Sequence, residues 1–350
     1  MKKFFIALSV LAALMLSVVP SQALVGTPDD VPGCDFVVPF VADISGSTGL
    51  NTLIVLTDAM GGWAGTTTAA ALNYHYTVNT ARSVTVHDAN ITGTPNDVYS
   101  TDAFTILAAM SSTARAALAV DIDGDGTNDH YAGYIYFDAT EVENNTVGQF
   151  YFVNLAAGKA AAANIPMKEY SNNVYGTGRE AAITSAVFRN EMLSISGTDT
   201  DMEMFSAQAM VNGKRLQASL LTAADAVTFY LFPRIFIADA TAVNWFIFWM
   251  SANDPFTGGT LHCNVYNASE TALSTNIPLD DELHVYDAAL YLPAGLWTAY
   301  PHEGFIDMII TTNTDALRYL EVLGWVYQQA TGTASESWTV MTPMWREATQ

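Results

Sequence analysis

Two stretches decide the fold, Asn51-Thr-Leu-Ile-Val-Leu-Thr57 and Asn244-Trp-Phe-Ile-Phe-Trp-Met250. Both are short, apolar and rich in β-branched or aromatic side chains, and each is flanked by turn residues, which reads as strand rather than helix. In the second, alternation places Trp245, Ile247 and Trp249 on one face and Phe246, Phe248 and Met250 on the other. Both faces are apolar. Such a strand is either covered on both sides or presents an aromatic platform, and Trp245 and Trp249 are the residues such a platform would use.

Working outward from these strands, the same landmarks recur in the same order. Ala42-Asp43 and Ala238-Asp239 precede them, and Gly61-Gly62 and Gly258-Gly259 follow. Leu72-Asn-Tyr-His-Tyr76 then matches Leu261-His-Cys-Asn-Val-Tyr266. Val98-Tyr99 with Asp102-Ala103 matches Val285-Tyr286-Asp287-Ala288, and Gly133-Tyr-Ile-Tyr136 matches Gly324-Trp-Val-Tyr327. From opening Asn to closing Gly the two spans agree to within two residues. This pattern predicts a mainly β protein of two tandem antiparallel, immunoglobulin-like β-sandwich domains arising from an internal duplication. The expected divisions are a signal peptide over 1–23, a first domain over 24–165, a connector over 166–221 and a second domain over 222–350. The connector should carry a helix within Gly178 to Met192 and a hairpin within Ser194 to Val211.

Met1-Lys2-Lys3, an apolar run from Phe4 to Val19, and Pro20-Ser21-Gln22-Ala23 have the layout of a secretory signal with cleavage after Ala23. The later chain holds no run of about 18 uninterrupted apolar residues, so no integral membrane segment is expected after cleavage. The formal charge is −22, and it becomes −24 once Lys2 and Lys3 are lost. So acidic a surface repels phosphate backbones, which argues against nucleic acid as a partner. Cys34 and Cys263 are the two cysteines. An oxidising exterior makes them a candidate disulfide.

Asp121-Ile-Asp-Gly-Asp-Gly-Thr-Asn-Asp129 carries the most definite chemistry. Asp121, Asp123, Asp125 and Asp129 stand at loop positions 1, 3, 5 and 9, Gly126 at the sharp turn, and Thr127 where a backbone carbonyl would ligate. Calcium takes six to eight oxygens in flexible geometry, and clustered carboxylates repel one another without a cation. The run resembles the calcium loops of dockerins, thrombospondin-type repeats and EF-hands. It departs from the EF-hand at position 12, where Ala132 replaces a bidentate Glu. The resemblance implies a calcium site of extracellular-module affinity, on the order of 10⁻⁴ to 10⁻³ M. Counting back from Gly324, the second copy holds Thr312, Thr314, Ala316 and Leu320 in the acidic places, so the loop belongs to the first domain alone.

The sequence contains no nucleophile elbow, zinc helix, Walker loop or dinucleotide fingerprint. His302-Glu303 and His87-Asp88 are adjacent pairs whose members point to opposite faces of a strand. The resulting expectation is a non-enzymatic, exported surface, matrix or adhesion-type protein that binds calcium, located in the periplasm, at the cell surface or outside the cell. A carbohydrate-binding protein using Trp245 and Trp249 is the alternative, and an envelope hydrolase a distant third. Polysaccharide or other surface proteins are the expected partners.

Overall fold

The computed structural model describes residues 35–44, 49–58, 73–82, 84–92, 98–139, 146–154, 156–165, 167–168, 210–211, 214–215, 227–250, 260–279, 281–312, 322–330, 338–343 and 345–349. The stretch expected to be a signal peptide, Cys34, the paired glycines at 61–62 and 258–259, the helix expected over Gly178 to Met192 and all but the end of the hairpin expected over Ser194 to Val211 lie outside these residues. Among the described residues, no helix is long and apolar enough to cross a membrane.

The first half contains β1 (Asp35–Asp43), β2 (Leu50–Asp58), β3 (Asn73–Asn79), β4 (Thr85–Thr92) and β5 (Val98–Asp102). It continues with β6 (Ala119–Val120), β7 (His130–Ala139), β8 (Thr146–Asn154), β9 (Lys159–Asn164) and β10 (Met167–Lys168). A small hairpin of β11 (Met210–Val211) and β12 (Lys214–Arg215) follows, at the end of the expected connector. The second half contains β13 (Val227–Phe232), β14 (Arg234–Ile237), β15 (Val243–Met250), β16 (Thr260–Asn267) and β17 (Ala272–Pro278). It ends with β18 (Leu283–Asp287), β19 (His302–Thr312), β20 (Val322–Ala330), β21 (Trp338–Pro343) and β22 (Trp345–Thr349).

Among the described residues all the pairings are antiparallel, and they make four sheets besides the hairpin. Sheet 1 runs β5-β2-β8-β9, and sheet 2 runs β10-β1-β7-β3-β4 with β6 beside β7. Sheet 3 runs β18-β15-β20-β21, and sheet 4 runs β17-β16-β19-β13-β22 with β14 beside β19. Replacing β1 by β13 and β14, β2 by β15, β3 by β16 and so on turns the first pair of sheets, apart from the two-residue β6, into the second. The two halves therefore share one strand order.

Strand pairing also fixes the residue correspondence. Leu53 pairs with Asp102 as Trp245 pairs with Asp287, and each of these aspartates caps a short helix by accepting a backbone N–H. One helix is Ala103–Ala109 and the other a 3₁₀ turn, Ala288–Tyr291. Seven residues are too few to show a helical period, which is why the first was not foreseen in the sequence. Thr52 and Asn244 occupy matching places and do the same work. The Thr52 hydroxyl accepts from Val41 N–H, and the Asn244 Oδ1 accepts from Phe236 N–H, so each ties the second strand to the first.

The sequence-derived register needs two corrections. Asn244 corresponds to Thr52 rather than Asn51, and Gly133 corresponds to Gly304 rather than Gly324. A Cβ on Gly133 would lie 2.5 Å from Asn79 O, and one on Gly304 would lie 1.8 Å from Tyr266 O. In both halves a glycine is what lets the β7-type strand approach the end of its neighbour. Gly324 belongs to β20, whose counterpart is β8.

The sheets stack in the order 1, 2, 3, 4. Ile54 and Phe150 of sheet 1 share the first sandwich core with Phe36, Val38, Phe40, Ile135 and Phe137 of sheet 2. Phe246, Phe248 and Val326 of sheet 3 meet Ile235, Val265, Ile306 and Met308 of sheet 4 in a second core. The two sandwiches are joined by the remaining faces of the inner sheets. Trp245, Ile247, Trp249, Trp325 and Tyr327 turn away from the second core and join the first cluster. There His130 meets Trp245 edge-on at 5.3 Å and Tyr134 meets Trp249 at 6.0 Å. Sheet 1 also reaches sheet 3 directly, through Phe150 on Trp325 and Phe152 on Tyr327. Burial on both faces explains why Phe36 to Ala42, Ala132 to Phe137 and Asn244 to Met250 are buried without alternation.

Candidate metal centre

Val120 ends β6 and His130 begins β7, so the acidic run between them must cross from one strand to the next. Ile122 is buried and anchors the loop to the first core. Gly124 and Gly126 have φ of +74° and +90°, the left-handed region that favours glycine. These turns fold the backbone amides inward. Gly124 N–H and Gly126 N–H donate to the two oxygens of Asp121, each at 2.8 Å. Thr127 N–H donates to Asp125 at 2.7 Å, and Asp125 N–H to Asp123 at 3.3 Å. The Gly126 amide, with smaller help from Gly124, holds the Asp121 carboxyl below its ordinary value.

As a result, Asp121, Asp123 and Asp125 each bring an oxygen within 4.8 Å of the other two. Asp121 is half-buried, and Asp123 and Asp125 are exposed. Ionised carboxylates are acceptors only, so nothing within the trio can neutralise it. Three hard oxygen donors at this spacing could hold a metal ion.

Asp129 does not join them. Its carboxylate is taken by His130 Nδ1 in a short contact, while His130 Nε2 lies 3.2 Å from Asp43. The reason is register: His130 pairs with Asp43 across β1 and β7, which carries Asp129 back to the sheet and away from the loop tip. Thr127 is exposed, next to the trio. In the second half the corresponding loop is 292–300, not the stretch counted back from Gly324. Gly295 repeats the positive φ of Gly124 at the same distance before the close-approach glycine. Leu292, Ala294 and Leu296 stand where the three aspartates stand, so the corrected register also leaves the acids to the first half.

The loop lies against the other sandwich. Asp287 N–H points to Ile122 O at 3.4 Å, and Gly124 sits beside Leu290. Burial raises the Asp287 carboxyl pKa, the Ala289 amide opposes this, and the charge of Asp123 adds to the rise. Nearby polar contacts also cross the seam. Glu282 N–H and Leu283 N–H donate to Ala81 O, Arg82 pairs with Asp281 at 2.9 Å, and Tyr134 O–H donates to the buried Glu282. Sequence reading missed these partners because each is set by packing between halves. Only Asp287 left a trace, in the Asp-Ala pair it shares with Asp102-Ala103.

No protein-family model, curated protein or solved structure matches this chain.

Trp245 and Trp249 are 6% and 0% exposed. They are the seam between the sandwiches and not an exposed platform, because the apolar second face of β15 is covered by sheet 2. Cys263 is buried in the second core, where burial pushes its thiol up to about 12. Its candidate partner, Cys34, is outside the described residues.

His130 supplies a pH-dependent element. Burial disfavours its charge, but the hydrogen bonds and charges of Asp43 and Asp129 outweigh burial and raise its pKa above the ordinary value. A raised histidine pKa gives stability that is fully present below about 6.5 and lost as pH rises through the folded-state value. The melting temperature of the parent should therefore exceed that of His130→Gln most at pH 6, with the gap closing toward pH 9. A gap that stays constant with pH would show that the ion pairs contribute nothing.

Proposed function

We propose that this is a non-enzymatic, exported structural protein of a cell surface or extracellular matrix, stiffened by one calcium ion at Asp121, Asp123 and Asp125. The carrying observation is the convergence of three carboxylates on glycine-shaped turns. Calcium completes its shell with carbonyls and water, so three carboxylates suffice for a site of millimolar class. The position of the loop supports a mechanical role. It touches Asp287 and Leu290 of the second sandwich, so an ion that fixes the loop also fixes one edge of the seam. An internal duplication accounts for the shared strand order and for the paired Asp102/Asp287 and Gly133/Gly304. The acidic loop would then be an addition to one copy.

The carbohydrate-binding alternative loses its support at Trp245 and Trp249, since stacked sugars need exposed rings. Calorimetric titration of the 24–350 chain should find one calcium site with Kd on the order of 10⁻⁴ to 10⁻³ M. The Asp123→Ala/Asp125→Ala variant should give no binding heat. If parent and variant give the same isotherm, the loop is an acidic turn and the calcium reading is wrong.

A further inference from the structure

The seam between the sandwiches is made of two different faces. Sheet 3 contributes one through Trp245, Ile247 and Trp249, and sheet 2 the other through Val41, Asn79 and Tyr134. Because the halves share one strand order, each of these faces has a counterpart at an end of the stack. By strand pairing, Leu53, Val55 and Thr57 of sheet 1 match the sheet 3 face. Phe236, Tyr266 and Phe305 of sheet 4 match the sheet 2 face. Neither counterpart is fully covered. Leu53, Val55 and Thr57 are half-buried, Val98 beside them is 57% exposed, Phe305 stacks on a half-buried Tyr266, and Ile309 is 46% exposed.

We propose that these end faces bind each other between copies of the chain, so that the molecule assembles head to tail through a contact that repeats its own seam. The occupant of the sheet 4 face is sheet 1 of a second copy. Continuity with the internal interface carries the proposal: the order sheet 1, sheet 2, sheet 3, sheet 4 is one two-sheet unit used twice, and its two ends are the two halves of the contact already made once. Two unlike faces form a heterologous contact, which propagates into an open filament unless its rotation closes a ring.

The end faces are more polar than the seam. Thr57 and Gln149 replace Trp249 and Trp325, and Glu303 and Asp307 flank Phe305. With a strongly negative chain, this makes the intermolecular contact weaker than the internal one and strengthened by salt, which screens like-charge repulsion.

The test is sedimentation velocity of the 24–350 chain over roughly 10 µM to 1 mM, the range of weak association, at low and high salt. Two surface variants, Val55→Asp on sheet 1 and Ile309→Asp on sheet 4, are each confirmed folded by their melting curves. The parent should show a mass that grows with concentration and further with salt. Each variant alone should remain monomeric, because every contact needs both faces. An equal mixture of the two should form dimers and nothing larger, since one intact face of each kind remains. A parent that stays monomeric throughout overturns the proposal. So does a single variant that associates as the parent does, because the contact would then not use both faces.

Discussion

Replacing Trp249 by alanine is expected to lower the stability by about 3–5 kcal/mol, the range for deleting a buried large aromatic side chain. Trp249 is fully buried, lies edge-on to Tyr134, and belongs to the cluster that holds the two sandwiches together. Truncation leaves a void between sheets 2 and 3 that rigid strands on both sides cannot close. The loss should appear as a lower denaturant midpoint, with a broadened or split transition as the halves lose their coupling. Were Trp249 part of an exposed platform, the change would fall within about 0.5 kcal/mol. A small loss would therefore contradict the stacked arrangement.

The second large effect is expected at Gly304. An alanine Cβ there would sit 1.8 Å from the backbone oxygen of Tyr266, which cannot rotate aside. Strand β19 would have to part from the end of β16, at a cost of about 3 kcal/mol from overpacking. Gly158→Ala serves as the control. It has φ of +64° with nothing within 4 Å of the new Cβ, so it carries only backbone strain of roughly 1 kcal/mol. Equal losses in the two variants would mean that β19 and β16 are not so closely apposed.

Much of this architecture could be read from local sequence. Period-2 alternation assigned Trp245 and Trp249 to one face and Phe246 and Phe248 to the other, and the structure sends those faces to separate cores. The repeated Asp-Ala pairs do mark equivalent places, because each aspartate caps the turn after its strand. What misled was similarity without pairing. Gly133-Tyr-Ile-Tyr and Gly324-Trp-Val-Tyr look alike, but one lies on β7 and the other on β20, and sequence alone does not record which strands are neighbours. The same limit governs the acidic loop. Regular ligand spacing brought Asp121, Asp123 and Asp125 together, while Asp129 was claimed by His130 through a cross-strand register that spacing cannot reveal. Burial of the tryptophan face likewise depended on a partner sheet distant in sequence.

The most direct test of the calcium-stiffened account is thermal melting of the 24–350 chain in about 10 mM calcium and in chelator, beside Asp123→Ala/Asp125→Ala. An ion held at a Kd on the order of 10⁻⁴ to 10⁻³ M would add about 1.5–3 kcal/mol at that concentration. The parent should therefore melt roughly 3–6 °C higher with calcium than without. The variant should not respond, and in chelator it should melt no lower than the parent, because it lacks the repulsion among the three carboxylates. A parent curve that is the same in calcium and in chelator would contradict the account.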